Sequence, residues 1–274
     1  SQYSEIVFVS NRNGNSQIVI VDKSGFNFQE LTDPEYESYD PDWPSEKKRI
    51  VYISNQGDDD DLYVMDIDSG NVQQLTFSEQ REQTPRWSPD GTKIAYTASI
   101  GEEDKIFVYD VYTESTTEIE IQDFYFWPPR PGFSWSPDSS RLAFYAEDED
   151  SGAIGLWNIE DESYQWVINS ELLFDAFPIW SPDGRTLSSV ITTDQSKDPN
   201  FQIFTTSLDG SDFQVLAEFE RKPYALAWSP NSQWIAFIKD HTPTMSEDAV
   251  FVIGADGQNL HQVKENDIVF ITYL

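Results

Sequence analysis

Residues 87–96 read WSPDGTKIAY, a tryptophan, a Ser-Pro-Asp-Gly turn and a short apolar run. The same phrase recurs along the chain. PDWPSEKKRIVYIS carries Trp43, PRWSPDGTKIAYTA Trp87, FSWSPDSSRLAFYA Trp135, PIWSPDGRTLSSVI Trp180 and LAWSPNSQWIAFIK Trp228, at intervals of 44, 48, 45 and 48 residues. A self-similar period in this range marks a repeat architecture. The turn has a local explanation: Pro presets φ, Asp bonds the backbone beyond it, and Gly permits the positive φ of a tight reversal. WPSEKK, WSPDSS and WSPNSQ keep a turn without keeping any one functional group. The motif therefore reads as a structural joint and not as a reaction site.

Each tryptophan belongs to a run a. After the turn comes a run b (RIVYIS, KIAYTA, RLAFYA, WIAFIK), then a polar loop, a run c (DLYVMDI, KIFVYDV, IGLWNIE, QIFTTSL, AVFVIGA), a second turn and a short run d (VQQLT, FQVLA). Short runs rich in Val, Ile, Phe and Tyr and bounded by Gly, Pro, Asp and Asn are strands joined as hairpins. Four strands per repeat predict an all-β, six-bladed β-propeller of four-stranded antiparallel blades, one domain over 1–274. EIVFVS, IVIVD and FQELT near the N-terminus match b, c and d without a preceding a, and the chain finishes ENDIVFITYL. Residues 268–274 are expected to supply the missing strand by pairing with the N-terminal blade, residues 5–32.

The repeated grammar WSPDG, IAY, a c run ending in Asp and a closing LT resembles the TolB-like β-propeller family over nearly the whole chain. SNRNGN (10–15) and SNQGDDDDLYVMD (54–66) resemble that family's loop between the second and third strands. The resemblance implies six blades and a periplasmic or secreted protein that binds other proteins or serves as an accessory domain. Some relatives are enzymes or precede a peptidase domain. The separate N-terminal domain of TolB is not expected within these residues, and a TolB-type role in envelope transport is not expected from them.

Composition narrows the function. With 49 Asp and Glu against 17 Lys and Arg, the net charge is -32. Such a surface repels phosphate backbones and anionic lipid, which argues against nucleic acid, and favours cations or a basic partner. Cysteine is absent, so disulfides, thiol catalysis and thiolate metal sites are excluded. No apolar run approaches the roughly 18 residues of a membrane span, so no membrane insertion is expected. SQYSEIVFVS reads as the start of a strand and not as a basic, apolar export signal. The chain is expected to be a monomer.

In a propeller the d–a and b–c loops share one face, here called the top, and the longer loops make it the expected functional face. The b–c loops gather acidic clusters, of which Asp58, Asp59, Asp60 and Asp61 form a candidate calcium site. GDDDDL lacks the ligand spacing of an EF-hand, so a solvated acidic rim competes with a bound cation. EIQDFYFWPPRPGFSW is the unusual d–a loop: Phe124, Tyr125, Phe126 and Trp127 precede three prolines and Arg130. It suits either a plug folded onto the ring or a rigid aromatic platform for a ligand. Tyr39, Arg81, Arg221 and Tyr224 are expected near the same face, where a basic group could grip the carboxylate of a peptide end or sugar acid. The ion-pair alternative for these cations stays open.

Catalytic signals are thin. The histidines are His241 and His261, and no GxSxG, HExxH, GxGxxG or P-loop pattern occurs. The sequence thus predicts a non-catalytic propeller, without an obligatory cofactor, that engages a protein, peptide or saccharide. A glycosidase or lyase at the channel mouth, or an accessory domain of a larger chain, is the alternative.

Overall fold

The computed structural model describes residues 5–22, 24–44, 48–57, 59–101, 103–122, 124, 126, 132–148, 151–170, 177–192, 200–240 and 248–263. All of its regular structure is β, in six antiparallel sheets. These are the blades of a six-bladed propeller, and the chain divides into two compact units, Ser1–Glu120 and Ile121–Leu274.

The first unit holds three blades. β1 (Glu5–Ser10), β2 (Gln17–Asp22) and β3 (Gln29–Glu30) form the first; β4 (Ser38–Asp42), β5 (Arg49–Ser54), β6 (Asp61–Asp66) and β7 (Val72–Gln74) the second. β8 (Glu82–Trp87), β9 (Lys93–Ile100), β10 (Glu103–Asp110) and β11 (Ser115–Glu118) form the third. In the second unit, β12 (Phe133–Trp135), β13 (Arg141–Glu147), β14 (Gly152–Asn158) and β15 (Tyr164–Ser170) form the fourth blade. The fifth is β16 (Ile179–Trp180), β17 (Thr186–Thr192), β18 (Phe201–Ser207) and β19 (Gln214–Phe219). The sixth is β20 (Tyr224–Trp228), β21 (Trp234–Asp240), β22 (Asp248–Gly254) and β23 (His261–Gln262).

Every sheet follows chain order, as the run-by-run reading requires. The first blade has b, c and d strands among the described residues, and β1 leaves Ile6, Phe8 and Val9 exposed along its edge. The expected closing strand, 268–274, lies outside the described residues.

The tryptophans are joints. Trp87 packs with Val51, Ile53 and Leu62 of the second blade and Ile94 and Tyr96 of its own. Trp180 likewise joins Ala143, Ile154 and Leu156 to Leu187 and Phe204. Trp43 packs against Ile18 and Ile50, and Trp228 against Ile203 and Ile235. Burying a ring of this size contributes on the order of a few kcal/mol per joint.

The turns after Trp87, Trp135, Trp180 and Trp228 are each closed by the serine that follows the tryptophan. In the third blade Ser88 Oγ donates to Asp90 Oδ1 at 2.7 Å and accepts the Lys93 N–H at 2.9 Å. Ser136 with Asp138, Ser181 with Asp183 and Ser229 with Asn231 repeat the donor arrangement. Gly91 and Gly184 hold φ of 64° and 70°, and Ser139 and Ser232 adopt 62° and 57° at the same turn position. Glycine is therefore preferred there and not required.

A second feature, shared by the second, third and sixth blades, escaped the sequence reading. Asp40, Thr84 and Ala225, each three residues before a blade tryptophan, have φ of 50°, 48° and 53°. Each sits at a register break in the a strand: Tyr39/Asp42, Gln83/Arg86 and Tyr224/Ala227. For the β-branched Thr84 this conformation is costly, and such bulges bend a strand and re-aim the residues before them. Tyr39, Glu82 and Tyr224 lie one or two residues before these positive-φ positions.

Candidate functional site

Within the first unit, chemistry concentrates where β6 and β8 begin. The connection 75–81 runs from the second blade into the third and brings the ends of these strands together: the Glu82 N–H donates to the Asp60 carbonyl at 3.2 Å, and the Ser99 N–H to the Arg81 carbonyl at 3.3 Å.

Two carboxylates lie inside this junction. Asp61 is 3% exposed; its Oδ2 accepts from Gln74 Nε2 at 2.8 Å and its Oδ1 from Thr76 Oγ1 at 3.2 Å, and the Ser78 N–H also bonds it. Glu82 is 2% exposed; its Oε1 accepts from Ser78 Oγ at 2.6 Å, whereas its Oε2 is buried with no partner. Ser78 therefore holds both acids, one through its N–H and one through its hydroxyl. Burial raises both carboxyls above their ordinary values. For Glu82 the rise reaches about 7, the Ser78 hydroxyl opposing it and the charges of Asp61 and Asp59 adding to it. Its own N–H opposes the rise less than the Ser78 hydroxyl does; a buried acid with few donors is costly to ionise, and a neighbouring anion makes it costlier.

Around this interior pair lies an accessible rim. Arg81 Nε donates to Asp60 Oδ2 at 3.2 Å, with the Arg81 side chain 63% exposed. The buried Tyr39 hydroxyl stands beside both without a hydrogen bond of good geometry, and burial, then Asp60, raises its pKa against the pull of Arg81. Phe77, directly before Ser78, is 78% exposed. Deeper along the a strands, Asp42 Oδ2 accepts the Trp87 N–H at 2.7 Å, linking the second blade to the third.

The described members of the candidate calcium site, which the sequence weighed against a solvated acidic rim, go separate ways. Asp59 is exposed, Asp60 faces Arg81, Asp61 turns inward, and Asp58 lies outside the described residues. Among the described residues no group of three or more His, Asp or Glu side chains is arranged to hold a metal ion.

Of the remaining expected ligand residues, Phe124, Phe126, Arg221 and Tyr224 belong to the second unit, and Tyr125, Trp127 and Arg130 lie outside the described residues. Phe126 is 3% exposed and meets the Phe144 ring edge-on at 5.8 Å. Phe124 lies 4.7 Å from the Trp166 ring, which in turn contacts Phe144 at 5.6 Å. These two rings are folded onto the fourth blade. Gly155 makes room for them, because it pairs with Phe144 across β13 and β14 and carries no Cβ to displace that ring. Tyr224 is exposed at the start of β20, and Lys222 lies over the Phe177 ring at 5.7 Å.

Sequence reasoning singled out Tyr39 and Arg81 but not Phe77, Ser78 or Glu82. The available signal was REQTPRW, a glutamate at the head of an a strand, where apolar or small residues would suit a joint between blades.

Six antiparallel blades in chain order define a β-propeller. Its family is shown by direct comparison. The family model for the TolB beta propeller domain matches residues 49–266, and the chain belongs to that family. Among solved structures, TolB from Acinetobacter baumannii superposes with a TM-score of 0.63 at 18% identity, covering 95% of this chain and 63% of that one. A putative TolB from Agrobacterium tumefaciens gives 0.61 at 15%, covering 86% and 83%. A Mycobacterium tuberculosis puromycin-hydrolyzing peptidase gives 0.67 at 14%, covering 92% of this chain and 43% of the peptidase. At these identities the likeness is one of fold. No curated protein matches the chain in sequence.

Proposed function

We propose that this chain is a non-catalytic binding propeller that engages a protein, peptide or saccharide outside the cytoplasm, through the connections at the loop ends of its blades. Membership of the TolB propeller family supports the class. One observation carries the site: Phe77 and Arg81 are exposed on a short connection whose intervening Ser78 is bonded to two buried acids. An exposed aromatic and an exposed guanidinium on a rigid frame are the residue types that dominate binding energy, and a frame already ordered lowers the entropy lost on association. Arg81 suits a ligand carboxylate, while the -32 net charge favours basic flanking segments and speeds their approach at low salt. Tyr39 borders this patch. Arg221 and Tyr224, with Tyr125, Trp127 and Arg130, are the proposed contacts of the second unit, and Phe124 and Phe126 anchor the loop that carries the latter three.

The buried position of Asp61 and Glu82 favours binding over hydrolysis, because neither acid is placed to reach a substrate bond. The experiment is a screen of the purified chain on peptide and glycan arrays, repeated with Phe77→Ala and Arg81→Ala. Hits should fall at least tenfold in affinity in both variants at unchanged melting temperature, and bound ligands should be recovered with unaltered mass. Undiminished hits would remove the proposed patch; a cleaved ligand would move the reading to an enzyme.

A further inference from the structure

We infer that Glu82 and Asp61 form a pH-sensitive latch, in which Glu82 must be protonated to keep the 75–81 connection seated on the junction of the second and third blades. The geometry assigns the proton. Both acids are almost fully buried, yet Asp61 receives three donors, from Gln74, Thr76 and Ser78, whereas Glu82 receives the Ser78 hydroxyl and a weaker pull from its own N–H and leaves Oε2 with no partner. Of two coupled acids, the one with more donors keeps its charge and the other takes the proton. The groups facing Glu82 reinforce the assignment: Asp61 and Asp59 from the second blade are anionic, and Tyr96 from β9 is neutral, its own hydroxyl pushed up to about 12 mainly by burial. Arg81, the residue before Glu82, is engaged by Asp60.

The sign follows from linkage. The carboxyl of Glu82 rises from an ordinary 4.5 to about 7 on folding, so the folded state binds the proton more tightly than the unfolded chain. Its contribution is whole below about pH 4.5 and is lost as pH climbs through 7. Once both states are ionised, the folding constant is lower by up to about 300-fold than it would be with an unperturbed glutamate. The strain falls on Ser78, so the 75–81 connection opens first. The inference concerns the connection itself and does not depend on a ligand.

Glu82→Gln tests it, since the amide keeps the shape and removes the charge. Between pH 5.5 and 8.5 the wild-type melting temperature should fall more steeply than that of Glu82→Gln, and amide exchange over residues 75–82 should show excess opening at high pH in the wild type. Parallel melting curves, with no excess exchange in that segment, would overturn the latch. An independent check needs no variant: carbon-13 NMR of glutamate-labelled wild type should show one carboxyl titrating near pH 7, and a set of midpoints all below 5.5 would be equally decisive against it.

Discussion

Replacing Ser88 by Ala probes the reading of WSPDG as a joint. Ser88 is fully buried. Its Oγ donates to the Asp90 carboxylate at 2.7 Å and accepts the Lys93 and Thr92 N–H groups at 2.9 and 3.2 Å. Alanine removes the charge-assisted bond, worth about 1.5–3 kcal/mol, and at least one neutral bond worth about 0.5–1.5 kcal/mol. Asp90 keeps Thr92 as a donor through both N–H and hydroxyl, which limits the damage on that side. The expected loss is about 3 kcal/mol, and a chain of this size loses about 2–4 °C of melting temperature per kcal/mol. Differential scanning calorimetry should therefore show a fall of roughly 6–12 °C. Affinity for any array-identified ligand, measured well below the transition, should stay within about twofold, since a turn at the opposite end of the β8–β9 hairpin from Arg81 touches no ligand. A melting temperature within about 1 °C of wild type together with lost binding would refute the reasoning and make the motif a site.

Gly155→Ala should be severely destabilising, because its Cβ would stand 2.8 and 2.9 Å from two carbons of the buried Phe144 ring; a loss above about 2 kcal/mol in urea unfolding is expected, and a neutral result would mean the ring has room to move. Acid should weaken the fold through its turns. Asp110, held down to about 2 chiefly by Lys93, and Asp209, held to about 2 by Ser207 and Ser211, bind protons less readily folded than unfolded. Their stabilisation is present above about pH 4 and lost as pH falls toward 2, so the melting temperature should drop over that window, and Asp110→Asn should flatten part of the drop. With Asp60 and Asp61 already engaged by Arg81, Gln74 and Thr76, adding calcium should shift the melting temperature no more than sodium chloride of matched ionic strength; an additional rise reversed by EGTA would show that the folded protein binds calcium.

The fold was legible because its determinants are local and repeated. Alternating apolar runs, Pro-Asp-Gly turns and tryptophans at a regular interval each specify a strand, a reversal or a joint from a few neighbouring residues. The site was legible only in part. Tyr39 and Arg81 stood out as an aromatic and one of the scarce cations near loop ends, but Glu82 looked like any other of 49 acids. For the 123–132 loop, the sequence left both plug and platform open, with the folded-back plug slightly favoured; Phe124 and Phe126 lie against Trp166 and Phe144, residues some 18 to 42 positions further along the chain.

What the sequence by itself determined is therefore the blade: its four strands, its turn chemistry, the tryptophan that joins it to its neighbour, and a surface hostile to polyanions. What only the tertiary structure decided is which polar groups go inside. Burial of a carboxylate depends on the strand packed beside it, on a bulge that re-aims the chain at Thr84, and on whether a neighbour such as Ser78 supplies a donor. These conditions are met by residues from two different blades, and a pattern read within one repeat carries no information about them.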